Sequence, residues 1–205
     1  KIVKKLIIFD LDGVLIDSIS NMRYAWKKSC KQNNLNINFK KYKKLIGLPF
    51  EEILKNLKIP KNKHEAIRKD YNFFSKEKIN QIKIKKREIN YLKNLIVKGY
   101  TLAIFTSKNL NRTKIVLGKQ KKLFKIILCP RKNIKGKPFP DGINHIIKFL
   151  KFKKSETIYV GDTLYDYYCA KSAKVDYLHS FWGYQKINFK KIKIIKKLNK
   201  ITKHL

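Results

Sequence analysis

The chain has 205 residues, 43% of them hydrophobic and 31% charged, with only 8 Gly and 5 Pro. That composition excludes a disordered, collagen-like or low-complexity protein and leaves room for one full-sized domain, alone or carrying a smaller inserted one. Fifty Lys and Arg against 14 Asp and Glu give a formal net charge of +36, which raises nucleic acid or an anionic membrane as a partner.

The distribution of the charge argues against a nucleic-acid footprint. Only Arg23, Arg68, Arg87, Arg112 and Arg131 carry the forked guanidinium that phosphate and base recognition favours. The lysines are spread over the chain among many Ile and Asn, as compositional drift toward AT-rich codons would leave them, and not gathered on one stripe. Cys30, Cys129 and Cys169 are isolated and show no metal-ligand spacing, which fits a reducing cytosol. The start resembles a signal peptide until Asp10 and Asp12 break its apolar run, and no stretch approaches the roughly 18 apolar residues that span a bilayer. A soluble cytoplasmic protein without a membrane span, monomeric or homodimeric, is expected.

In chain order, Ile2 to Phe9 is a short apolar run ahead of Gly13, the pattern of a strand buried on both faces. Helical patterns follow near Ser18 to Gln32, Phe39 to Leu45, Phe50 to Leu57, Lys63 to Ile82 and Arg87 to Lys98. Strand runs then recur at Thr101 to Phe105, Ile126 to Cys129, Thr157 to Val160 and Val175 to His179. They alternate with helices near Asn109 to Lys119, Asp141 to Leu150 and Leu164 to Ser172. The prediction is an α/β fold, a Rossmann-like doubly wound parallel sheet of five core strands. A parallel crossover needs only about a dozen residues. The surplus after the first strand therefore predicts a helical domain at 18–85, inserted into a core made of 1–17 and 86–205. The basic tail from Gln185 places Phe189, Ile192, Ile195, Leu198 and Ile201 at near-helical spacing and predicts a terminal helix packed on the sheet.

The acids carry the functional signal. Asp10 with Asp12, and Asp162 with Asp166, form two tight pairs, each directly after an apolar strand. In an open parallel sheet the carboxyl ends of the strands share one crevice. Four carboxylates meeting there need a cation to offset their repulsion, and hard oxygen ligands suit Mg²⁺. Thr106-Ser107-Lys108 follows the second strand with a hydroxyl and turn amides suited to phosphate oxygens, and the loop through Lys137-Pro138 presents an ammonium group. Together these parts predict phosphoryl transfer.

Asp10-Leu-Asp12-Gly13-Val14-Leu15-Ile16-Asp17-Ser18, Thr106-Ser107-Lys108, Lys137-Pro138 and Gly161-Asp162-Thr163-Leu164-Tyr165-Asp166 resemble the four ordered motifs of the haloacid dehalogenase superfamily. The likeness is greatest to its phosphoglycolate phosphatase and β-phosphoglucomutase branch, and Phe181-Trp182-Gly183-Tyr184 is similar to a strand-end segment of that branch. The resemblance implies that Asp10 is the nucleophile, forming an aspartyl-phosphate, and that Asp12 is the general acid and base, its backbone carbonyl also binding metal. It implies that Thr106 and the Ser107 amide bind the phosphoryl group and that Lys137 neutralises it. Asp162 would ligate Mg²⁺, and Asp166 would hold a metal-bound water or orient Lys137.

The resemblance implies that an inserted cap sets substrate choice through the loop around Leu45-Ile46-Gly47-Leu48-Pro49, whose Gly47 would face the nucleophile; Lys44 or Lys43 would meet an anionic remainder of the substrate or belong to a solvated face. Ser18 reads at least as well as a helix cap as a substrate contact. His145 falls among apolar residues of a helix and, like His64, His179 and His204, claims no catalytic role. Trp182 and Tyr184 read as packing at the sheet edge. Other sources of an Asp-x-Asp-Gly run fit less well: a calcium loop would need ligands where Val14 and Asn21 stand, and a receiver-like domain leaves the insertion unexplained. The expected function is a Mg²⁺-dependent phosphatase acting on a small phosphorylated metabolite. A phosphomutase is the enzymatic alternative and a basic nucleic-acid-binding protein the alternative of another class.

Overall fold

The computed structural model describes residues 3–187 and 192–205. Strand β1 (Leu6–Phe9) is followed by four helices, α1 (Ile19–Gln32), α2 (Phe39–Lys43), α3 (Phe50–Asn56) and α4 (His64–Glu77), and then by α5 (Lys86–Val97). The chain continues through β2 (Thr101–Phe105), α6 (Leu110–Leu117), β3 (Ile126–Leu128), α7 (Asp141–Leu150), β4 (Thr157–Gly161), α8 (Leu164–Ala173), β5 (Asp176–Ser180) and β6 (Lys193–Ile195). The six strands form one sheet in the order β3-β2-β1-β4-β5-β6, and every pairing is parallel.

Strand alternation explains why the apolar runs are continuous. Ile7 and Phe9 of β1, Leu102 and Ile104 of β2, and Ile158 and Val160 of β4 face one side with Leu92 and Leu95 of α5. Leu6 and Ile8, Ala103 and Phe105, and Tyr159 face the other side with Ile143 and Ile146 of α7 and Cys169 and Ala170 of α8. Successive side chains of a strand point to opposite faces, so a sheet covered by helices on both faces needs apolar residues at every position.

Helices α1 to α4 gather a third apolar cluster of their own, including Trp26, Leu54, Ile67, Tyr42 and Tyr71. Trp26 stacks near Tyr42 and donates its indole N–H to the Ile37 carbonyl at 3.0 Å, which satisfies the one polar atom of a fully buried ring. Ile79, Ile82 and Ile84, on the return path, pack instead with the cluster on the α5 side of the sheet.

The tail differs from its predicted helix. It supplies β6, paired with β5 as Leu178↔Lys193 and Ser180↔Ile195, and then a 3-10 helix over Leu198–His204. A spacing of three residues also suits a strand end running into a 3-10 helix, whose turn holds three residues, so Leu198 and Ile201 still share one buried face. Among the described residues the sheet therefore has six strands, not five. Ile2 and Phe189 lie outside the described residues. Among the described residues no helix is long and apolar enough to cross a membrane.

Candidate active site

β1 lies between β2 and β4, and the chain runs outward from it in both directions, so the strand order reverses beside β1. The crevice at that reversal receives Asp10 from the end of β1, Thr106 from the end of β2 and Asp162 from the end of β4. Lys137, from the loop before α7, reaches it fully buried, with its ammonium 2.8 Å from Asp10 Oδ1 and 2.7 Å from Asp166 Oδ1. The structure thus brings Asp10, Asp162, Asp166 and Lys137 into one buried group from three separate stretches of chain.

The local fold positions each of them. Asp166 sits in the first turn of α8, where Thr163 caps the helix, and its Oδ2 accepts from the Thr163 amide at 3.0 Å and hydroxyl at 2.7 Å. Its Oδ1 also accepts from the Tyr159 hydroxyl at 2.8 Å. With its oxygens engaged in this way, Asp166 chiefly anchors Lys137. Asp162 Oδ2 accepts from the Tyr184 amide at 2.7 Å, whereas Asp162 Oδ1 is buried with no hydrogen-bond partner. Two glycines make its slot. A Cβ on Gly13, which has φ +81°, would come 2.1 Å from Asp162 Oδ2, and one on Gly183 would come 2.1 Å from Asp162 Cβ.

The electrostatics follow from burial. Burial lifts Asp10 to about 7, reinforced by Asp166 and Asp12 and opposed by Lys137. Burial, with Asp166 and Asp10, pushes Asp162 well above the usual carboxylate range. Burial also acts to raise Asp166, but Lys137 and the hydrogen bonds from Thr163 and Tyr159 together outweigh it and hold that group low. For Lys137 the loss of solvent works against the charge, yet the two carboxylates prevail and raise it.

One lysine facing three clustered acids leaves negative charge unmatched. One oxygen from each of Asp10, Asp162 and Asp166 lies within 4.8 Å of the other two, and Asp162 Oδ1 has no partner. An orphaned, buried carboxylate oxygen in an all-oxygen cluster fits a small hard divalent cation.

The remaining predicted residues divide. The Asp12 carboxylate turns from the three-acid cluster toward Lys108, at 3.0 Å, and toward the Ser18 hydroxyl. Ser18 therefore orients Asp12 and makes no side-chain cap on α1. The Thr106 amide is spent on the Leu128 carbonyl at 3.0 Å, leaving its buried hydroxyl to line the crevice beside Ser107. Ser107 donates to the Gly47 carbonyl at 2.7 Å and so joins the end of β2 to the loop between α2 and α3. Lys44 differs from expectation: its side chain is exposed and outside the crevice lining, and only its carbonyl is used, by Gln185 at 3.3 Å. The backbone turn that swings Gly47 inward carries the Lys44 side chain out to solvent.

Tyr184 is likewise more than edge packing. Its hydroxyl accepts from the Ser18 amide at 2.7 Å while its own amide holds Asp162, and Trp182 donates to the Val14 carbonyl at 3.0 Å. This segment braces the turn that presents Asp12. Lys108, Arg112, Tyr42 and Tyr71 also line the crevice and have no assigned role in the sequence reading. Met22, Ile46, Leu48 and Phe50, all between β1 and β2 in the chain, line the same cavity.

Haloacid dehalogenase-like hydrolases match residues 7–179, a span containing all four strand-end motifs. The chain belongs to this family. Among curated haloacid dehalogenase-like relatives, the phosphoglycolate phosphatase of Aquifex aeolicus is 29% identical over 191 residues, covering 90% of this chain and 88% of its own. A protein of Caldanaerobacter subterraneus whose name proposes a pyrophosphatase, PpaX, is 28% identical over 86% of this chain and 81% of its own. A hydrolase from Pseudomonas syringae superposes with TM-score 0.85 at 22% identity, covering 98% of this chain and 97% of that one. The fold of this family, a parallel α/β sheet with flanking helices, is therefore the fold of this chain.

Proposed function

We propose that this haloacid dehalogenase-like hydrolase is a Mg²⁺-dependent phosphatase that cleaves a small phosphomonoester through an aspartyl-phosphate. The observation that carries the reading is the buried contact of Lys137 with Asp10, beside the unpartnered Asp162 Oδ1. Lys137 holds Asp10 Oδ1, which directs Oδ2 at phosphorus. The Asp10 oxygen bonds to phosphorus as the bond to the leaving oxygen breaks, and Asp12, oriented by Ser18 and Lys108, gives that oxygen its proton. A water then attacks phosphorus, Asp12 takes its proton, and the bond to Asp10 breaks to release phosphate. The Thr106 hydroxyl and the Lys137 ammonium hold the phosphoryl oxygens throughout. Mg²⁺ held by Asp10 and Asp162 would supply neutralising charge for the phosphoryl oxygens as they crowd the carboxylates.

We take the insertion over 18–85 to be a cap, with Gly47 closing over the crevice through Ser107. Such closure excludes water and favours metabolite-sized esters. The test is phosphate release from a generic aryl phosphate. Mg²⁺ is expected to restore turnover to chelator-treated protein and to raise its thermal midpoint, by about 3 kcal/mol of added stability when the ion stands at a hundred times its Kd. Equal turnover in chelator, or no release from any phosphomonoester with Mg²⁺, would overturn the proposal.

A further inference from the structure

Three cationic side chains line the crevice, and they are not equivalent. Lys137 is paired with Asp10 and Asp166, and Lys108 with Asp12. Arg112, only 8% exposed, has no carboxylate within 4.0 Å among the described residues. Its Nε has no hydrogen-bond partner, one terminal nitrogen reaches Ser75 Oγ at a long 3.4 Å, and the guanidinium otherwise meets the neutral side chain of Tyr71, by hydrogen bonding and with Cζ 5.2 Å from the ring centroid. Burying a guanidinium with so little compensation is costly, and an incoming anion would relieve that cost.

The placement is built by the local chain. Asn109 caps α6, its side chain accepting from the amides of Asn111 at 3.0 Å and Arg112 at 3.4 Å, which fixes Arg112 in the first turn directly after the Thr106-Ser107-Lys108 strand end. The guanidinium faces the insertion, where Tyr42 and Tyr71 join hydroxyls at 3.0 Å and Met22, Ile46 and Phe50 are among the other lining residues. One cavity therefore holds the proposed nucleophile and a buried planar cation that has no carboxylate partner among the described residues.

We infer that Arg112 determines specificity for phosphomonoesters whose leaving alcohol carries a second anionic group, a carboxylate or a second phosphate. The inference rests on the phosphatase reading for the direction of the ester, and it names the substrate class of that same site. The fork of Arg112 would take two oxygens of the second anion while the Tyr71 face keeps the guanidinium planar and dry. A substrate with a neutral tail leaves the buried cation unpaired.

Binding is best read by calorimetry with Mg²⁺ on Asp10→Asn protein, so that the result does not depend on turnover. One arm compares 3-phosphoglycerate with glycerol 3-phosphate, equal in length and differing in the carboxylate; the other compares fructose 1,6-bisphosphate with fructose 6-phosphate. In at least one arm the anionic tail is expected to bind about tenfold or more tightly, and the arm that shows it identifies the second group. Adding Arg112→Met should bring that ratio close to one, Arg112→Lys should keep part of it, and Ser75→Ala, which removes only the contact toward α4, should leave it in place. Equal affinity within about twofold in both arms, or a preference that survives Arg112→Met, would overturn the inference. If the wild-type protein releases no phosphate from these esters or from an aryl phosphate with Mg²⁺, it is the phosphatase reading that fails, and the binding ratios still decide the role of Arg112.

Discussion

Asp10→Asn is expected to lower turnover of an aryl phosphate by at least about 10³-fold while the protein stays folded. The amide is nearly the same size as the carboxylate but is a poor nucleophile toward phosphorus, so the loss should fall on kcat. Folding should not suffer, because the substitution removes one charge from a group of three clustered buried acids and keeps the side chain's shape. Lys137 keeps its second partner, Asp166, at 2.7 Å. A melting curve by far-UV circular dichroism, taken with the rate, separates loss of chemistry from loss of structure. Retention of more than about a tenth of the rate would remove Asp10 from the role proposed for it.

Lys137→Met is expected to be damaging in both respects. The Lys137 side chain is fully buried and is the only cation within 4.0 Å of Asp10 and Asp166 among the described residues. Removing one partner of a buried ionic group leaves uncompensated charge, which costs about 3–5 kcal/mol and lowers the melting temperature by roughly 10 °C in a protein of this size. Phosphoryl oxygens would also lose their nearest fixed positive charge, at a further cost of about 10²-fold or more in kcat. The stability loss should be relieved in part by adding Asp166→Asn, since the orphaned charge is then gone, whereas the activity should not return. Equal instability of the single and double variants, measured in chelator, would show that Lys137 acts by packing and not by pairing.

Much of this architecture is legible in the chain because two periodic signals agree. Runs such as Leu6 to Phe9 and Thr157 to Gly161 are buried at every position since both faces are covered, and the acids stand immediately beyond them, where a parallel sheet gathers its loops. The tail was less legible because Ile195, Leu198 and Ile201 follow a spacing of three that an α-helix, or a strand end feeding a 3-10 turn, satisfies almost equally well. Lys44 is hard to place for a different reason: in a chain with fifty basic residues, a lysine beside a loop says nothing about which way the loop turns. Tyr184 and Arg112 were missed as site residues because their roles are set by contacts across the fold, 22 residues from Tyr184 to Asp162 and 37 from Arg112 to Ser75. A signal did exist for Arg112. In a composition that favours lysine so strongly, each of the five arginines stands out as a choice, and this one lies four residues after the strand-end Lys108.

The central claim is that the Asp10 carboxylate itself becomes phosphorylated, and the most direct measurement is to catch it. Protein mixed with a rapidly cleaved phosphomonoester and Mg²⁺ is quenched in acid within one turnover, digested, and analysed by mass spectrometry. The account predicts one added phosphoryl group on the peptide that carries Asp10, labile to hydroxylamine and missing from Asp10→Asn. A stable phosphoryl group on any other side chain, or phosphate released in a burst with Asp10 never modified, would contradict it.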